Sequence, residues 1–201
     1  MPRPYRLGQR KAATDETRAR IIAGAREILL SDDGYRNFTM DAIARHTSVA
    51  RMTVYYQFRS KTGLFEALAD DIAERGKIRE NLERAFTHDD PREGLRLLID
   101  AFVHFWIADL DVMRKLNALS QLDSQSHAAE RDAWRIEAIR NMMARVKQRY
   151  RLTPASIRRA TDALGMLTTF GASDALARSG VPEREIAARV RALVFQALGW
   201  A

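Results

Sequence analysis

Apolar residues return at intervals of three and four along most of this chain, the spacing of helices that bury one face. The first such run begins at Thr14, with Asp15 and Glu16 in its first turn, and places Ile21, Ile22, Ala25, Ile28 and Leu29 on one side. Acids suit the start of a helix because the unpaired backbone N–H groups leave partial positive charge there. Ser31-Asp32-Asp33-Gly34 ends this helix. Two short helices follow, about Met40–His46 and, from near Ala50 or Arg51, to Phe58. From Lys61 onward the chain reads as helices only. Leu64, Phe65, Leu68 and Ile72 begin a helix expected to continue toward Phe86. Further helices are expected over about Pro91–Ala108, Leu110–Leu122 and His127–Arg151. Ile157, Ala160, Leu164, Leu167, Gly171 and Leu176 then predict one helix stopped by Gly180. Pro182 suits the first turn of the last, which carries Ile186, Val190, Leu193, Val194, Ala197 and Leu198. The fold class is therefore all-α.

The stretch Thr39–Lys61 departs from this plain amphipathic pattern. Thr39 is placed to cap the helix after it, and Phe38 with Ile43 to form a hydrophobic staple across its start. In the next helix Val54 and Phe58 are four apart and share one side. The remaining surface carries Arg51, Met52, Thr53, Tyr55, Tyr56 and Gln57. Arg and Thr suit base edges and phosphates, and Tyr hydroxyls suit phosphates, as in a helix lying in a major groove. Ser60 is placed to cap a third helix beginning at Lys61, where free backbone N–H groups favour an anion.

The run Thr39, Ile43-Ala44, Val49, Thr53-Val54-Tyr55-Tyr56-Gln57-Phe58, Ser60-Lys61 and Leu64 resembles the helix-turn-helix signature of the tetracycline-repressor (TetR) family. The resemblance covers about residues 14 to 66. It implies an N-terminal three-helix DNA-binding domain and a C-terminal helical domain that binds a ligand and dimerises. By this resemblance Thr39, Tyr56 and Lys61 are expected at phosphates. The family usually has Gly at Ser48 and a capping Ser at Ala50. Ser48 is thus expected to adopt a left-handed backbone, and the Arg51 helix to start with a poorer cap.

Charge agrees with this division. Residues 1–61 hold 12 Lys and Arg against 6 Asp and Glu, whereas residues 62–201 hold 21 against 20. Most of the net charge of +7 therefore sits beside the motif, the electrostatic footprint of a nucleic-acid module. Residues 1–13 contain Arg3, Arg6, Arg10 and Lys11 with no acid, and are expected to be a basic flexible arm. The domains expected are this arm, a helix-turn-helix domain over 14–61, and a regulatory and dimerisation domain over 62–201. With no Cys, no spanning apolar run and no signal-peptide core at the N-terminus, a soluble cytoplasmic location is expected.

The middle helices gather Phe102, His104, Trp106, Met113, Leu116, Asn117, Met142 and, from the following helix, Phe170. Aromatic and Met side chains suit an adaptable apolar pocket as well as a plain core. The resemblance favours a pocket for a small apolar or amphipathic ligand, with His104 and Asn117 as polar handles. The last two predicted helices, through Leu164, Leu167, Gly171, Ile186, Val190, Leu193, Val194 and Leu198, are expected to form a homodimer interface by four-helix packing.

Catalysis finds no foothold. His46, His88, His104 and His127 are scattered without metal-ligand spacing, and no nucleophile elbow or phosphate loop is present, so neither a metal nor another cofactor is expected. The expected function is sequence-specific transcriptional regulation: a repressor dimer on a pseudo-palindromic operator, released by ligand. A helix-turn-helix regulator without an inducer, and distantly an all-helical enzyme, remain as competing readings. Specific DNA retardation separates both regulators from the enzyme, and release by a compound separates one regulator from the other.

Overall fold

The computed structural model describes residues 4–121 and 127–200, residues 4–10 and Tyr35 by their backbone alone. Among the described residues every regular element is helical: α1 (Pro4–Leu30), α2 (Gly34–Asn37), α3 (Met40–His46), α4 (Arg51–Phe58), α5 (Lys61–Arg75), α6 (Ile78–Thr87), α7 (Pro91–Ile107), α8 (Leu110–Ser120), α9 (Ala128–Arg149), α10 (Pro154–Leu167), α11 (Phe170–Arg178) and α12 (Glu183–Leu198). None of these is long and apolar enough to cross a membrane. They form two compact units, Met1–Asp71 with Lys115–Ser126, and Ile72–Arg114 with His127–Ala201. The division falls inside α5, beyond the expected boundary at 61.

In the first unit Ile21, Ile22, Ala25 and Leu29 of α1 are buried with Phe38, Ile43, Val54, Phe58, Leu64, Phe65 and Leu68. Phe38 and Phe65 meet edge to face at 6.0 Å. Gly24 lets α3 approach α1 closely, since a Cβ there would stand 2.2 Å from the Thr47 methyl. Residues 4–13, expected as an arm, belong to α1. Their Arg, Leu, Gln, Lys and Ala are good helix formers, and Pro4 fits a first helical position. Residues 1–3 lie outside the described residues, as does Leu122 at the expected end of α8.

The second unit is built around α7, whose Leu95, Leu98, Ile99, Phe102 and Val103 are buried in one core with residues of α6, α9, α10 and α12. Gly94 is needed here, because a Cβ would come within 2.6 Å of the Ala85 carbonyl oxygen on α6. Asp100 of α7 accepts from Arg96 at 2.7 Å and pairs with Arg191 of α12. At the end of α12, Gly199 turns left-handed (φ 77°) and Trp200 folds back on Phe195 and Tyr150, with ring centroids 5.4 and 5.1 Å away.

Two expected helices are broken in two. The one expected from Lys61 to Phe86 divides at Gly76-Lys77, where Lys77 is left-handed (φ 49°). The one expected to run to Gly180 divides at Thr168-Thr169. Thr169 caps α11 by accepting from the Ala172 N–H at 3.2 Å. Thr168 is fully buried, donates to the Leu164 carbonyl at 2.6 Å, and accepts from the Arg135 guanidinium at 2.8 Å. The second break is made by polar groups whose partners an apolar period does not reveal.

Candidate nucleic-acid interface

The interface is assembled by α3 and α4. Thr39 takes an extended backbone and its hydroxyl accepts from the Ala42 N–H at 3.1 Å, the expected cap. The turn after α3 is a Schellman motif: Val49 N–H donates to the Ala44 carbonyl at 3.0 Å and Ser48 N–H to the Arg45 carbonyl at 3.2 Å. This motif needs a left-handed residue, and Ser48 supplies it at φ 53° where glycine would be unstrained. Ala50 caps α4 with no side-chain hydrogen bond.

Helix α4 is seated by Val54 and Phe58, both buried. Its opposite side is left in solvent, with Met52 76% and Tyr56 84% exposed. Thr53, Tyr55 and Gln57 are half-buried at its flanks, and Arg51 is exposed at its first turn. The Arg51 Nε donates to Asp41 Oδ1 of α3 at 2.7 Å, and its guanidinium carbon lies 5.4 Å from the Tyr55 ring. A hydrogen bond with the Tyr55 side chain, then the Asp41 charge, push its pKa above the ordinary arginine value.

The exit from α4 is equally constrained. Arg59 is left-handed (φ 64°), so two of the three positive-φ residues other than glycine among the described ones flank α4. Backbone strain of this kind is retained where surrounding structure over-determines it, often at binding sites. Ser60 Oγ accepts from the Gly63 N–H at 3.0 Å and caps α5, as expected. Gly63 is obligatory, because a Cβ there would stand 2.1 Å from the Phe58 carbonyl oxygen. Lys61 is exposed, its Nζ 5.7 Å from the Phe38 ring. The structure thus brings Thr39, Arg51, Met52, Thr53, Tyr55, Tyr56, Gln57 and Lys61 into the first unit, on α3, α4 and the start of α5.

Two contributors escaped the sequence reading. Arg18 of α1 stacks its guanidinium 4.6 Å from the Phe58 ring and donates to the Gln57 carbonyl at 3.3 Å, holding the end of α4. Asp41 engages Arg51 across the turn. Neither lies on an apolar stripe. Only an acid ten positions ahead of an arginine marked the second, and that has meaning only once the turn geometry is known.

The residues proposed for a pocket are divided. Phe102 and Met142 are buried in the core of the second unit, and Phe102 meets Trp134 edge to face at 6.3 Å. Trp106 packs on Phe170 at 6.1 Å and donates its indole N–H to the Thr168 carbonyl at 2.7 Å. Met113 is buried in the same unit, whereas Leu116 and Asn117 belong to the first. His104 and Asn117 are exposed, so neither has the burial of a polar handle. Unforeseen polar groups buried in this unit include Arg135, 4% exposed, and the Ser173 hydroxyl, which has no hydrogen-bond partner among the described residues.

Five of the eight residues expected at the dimer surface face inward. Leu164, Ile186, Val190, Val194 and Leu198 are buried in the chain's own core, because α10 and α12 turn their apolar faces toward α7 and α9. Leu167 is half-buried. Leu193 is 48% exposed, Met166 of α10 is 69% exposed, and a Cβ on Gly171 would meet open space.

Residues 21–68 match the family model described as bacterial regulatory proteins, tetR family. A search of curated proteins by sequence returned no match. Solved structures with this fold include a candidate fatty acid metabolism regulator of Clostridium perfringens, 19% identical with TM-score 0.65, covering 90% of this chain and 98% of that one. A TetR-family transcriptional regulator of Pectobacterium atrosepticum is 19% identical with TM-score 0.63, covering 93% and 94%. NalD of Pseudomonas aeruginosa, the secondary repressor of the MexAB-OprM multidrug efflux pump, is 25% identical with TM-score 0.63, covering 92% and 98%.

Proposed function

We infer that this chain is a transcriptional repressor released from its operator by a small molecule, a reading that starts from the match of residues 21–68 to the tetR family of bacterial regulatory proteins. The observation that carries the DNA-binding part is the two-sidedness of α4. Val54 and Phe58 anchor it, while Met52 and Tyr56 stand in solvent among groups suited to base edges and phosphates. Thr39, Tyr56 and Lys61 take phosphates, and Arg51, Met52, Thr53, Tyr55 and Gln57 meet the groove. Two copies of α4, one from each protomer of a homodimer, occupy successive major grooves of a pseudo-palindrome.

The regulatory part rests on the second unit. Phe102, Trp106, Met142 and Phe170 supply adaptable apolar surface, and the unpartnered Ser173 hydroxyl supplies a polar anchor there. These features support a small apolar or amphipathic ligand. NalD, which represses an efflux pump, is a relative of the same fold. The dimer surface is drawn from the outward sides of α10 and α12, around Met166 and Leu193. Ligand binding biases the dimer between two separations of its reading helices. A coupling of about 1–3 kcal/mol is typical of such linkage, and near-complete release needs roughly 5 kcal/mol.

The test is a compound screen by thermal shift, followed by DNA retardation with each hit. A compound that raises the melting temperature and releases specific DNA supports an inducer. Compounds that stabilise without changing retardation, across a broad apolar and amphipathic set, favour a regulator without one.

A further inference from the structure

The geometry points to Asp41 as a positioning residue that aims Arg51 at a guanine edge, an inference that rests on the DNA-reading role of α4 proposed above. Arg51 is the only basic residue in α4, and its long side chain is free to swing between bases and phosphates unless something holds it. Two things hold it. Asp41 Oδ1 takes the Nε hydrogen at 2.7 Å, and the Tyr55 ring lies on one side at 5.4 Å.

An arginine fixed through Nε can present its two terminal nitrogens to a base in exchange for its hydrogen bond with the Tyr55 side chain. Those two carry parallel N–H groups suited to guanine O6 and N7. Asp41 can do this because its own backbone is fixed. It stands in the first turn of α3, directly after the Thr39 cap, and the Schellman turn sets α3 against α4. An exposed ion pair adds little to stability, so the pair's consequence lies in where it leaves the guanidinium. An acid beside a polyanion also costs affinity for DNA of any sequence. Asp41 therefore exchanges general affinity for discrimination.

The experiment compares the full-length protein with Asp41→Asn, Arg51→Ala and the double variant, by site selection on randomised duplex DNA and by titration of selected and non-specific duplexes. Asp41→Asn is expected to bind non-specific DNA more tightly, while guanine preference at one symmetric pair of operator positions falls by about fivefold or more, the lower end of a bidentate Arg–guanine contact. In the Arg51→Ala background the same substitution should still raise general affinity but change no base preference. Loss of preference at every position would show damage to the whole helix pair and overturn the inference. Loss with Arg51→Ala but not with Asp41→Asn would overturn the positioning role alone. Unchanged preference in Arg51→Ala would overturn it together with base reading by Arg51. Absence of any preferred sequence for the wild type would instead defeat the proposed function on which it rests.

Discussion

Val194 and Leu193 are neighbours in α12 with opposite surroundings, and a carboxylate placed at each gives opposite results. Val194 has no exposed surface and shares a core with Leu98, Ile99, Leu164, Val190 and Leu198. Val194→Asp forfeits about 1.5–3 kcal/mol of apolar burial and adds several kcal/mol for a buried charge without a partner. The total is comparable with the roughly 5–15 kcal/mol that holds a typical domain folded. The variant should lose its cooperative urea transition or move it to much lower concentration. Leu193 is 48% exposed, and Leu193→Asp should change the stability of a single chain by no more than about 0.5 kcal/mol. Sedimentation velocity at micromolar concentration should then show wild type as a dimer and Leu193→Asp shifted toward monomer. A Val194→Asp protein that unfolds like wild type yet sediments as a monomer would refute the reasoning. It would mean that the buried face of α12 is intermolecular.

Three further outcomes are expected. Lys61→Ala should weaken all DNA sequences about equally and lower the salt slope by about one unit per contact, two per dimer; an unchanged slope removes Lys61 from the phosphate contacts. Gly63→Ala forces a methyl group toward the Phe58 carbonyl, which lies 2.1 Å from the Cβ position, and should cost about 1–3 kcal/mol in urea unfolding, with operator affinity falling too. Asp90 caps α7 and is held below the usual carboxylate range by the Tyr150 hydroxyl and then the Arg92 N–H. A depressed folded pKa gives stability above the unfolded value of about 3.9, lost as pH falls through the folded one, so Asp90→Asn should flatten the acid limb of the stability curve, by under about 1 kcal/mol at this exposed site.

Much of the fold was legible because apolar spacing and caps are local. Thr39, Ser60 and Gly180 mark helix ends by their own chemistry, and each acts where expected. The Val54 and Phe58 anchor was legible for the same reason, and the left-handed Ser48 through the resemblance, in which glycine usually stands there. What escaped depends on distant partners. The break at Thr168 is fixed by Arg135, 33 residues earlier in the chain, and by the Trp106 indole bond to its carbonyl. Periodicity identifies an apolar face but not what covers it, so Val190 and Val194 could not be told from interface residues until α7 was seen against them. Arg18 and Asp41 lie outside the motif's apolar frame, and their roles exist only in the folded helix pair.

The central claim is that the exposed side of α4 reads DNA in a symmetric pair. Site selection on randomised duplexes tests it most directly, with wild type beside a variant carrying Met52→Ala and Tyr56→Ala, two exposed positions whose loss leaves the Val54 and Phe58 anchor intact. The wild type should enrich a two-fold symmetric sequence whose half-sites lie about one helical turn or somewhat more apart. The variant, folded to the same melting temperature, should enrich it weakly or not at all. Failure of the wild type to enrich any sequence, or identical enrichment by both proteins, would contradict the account.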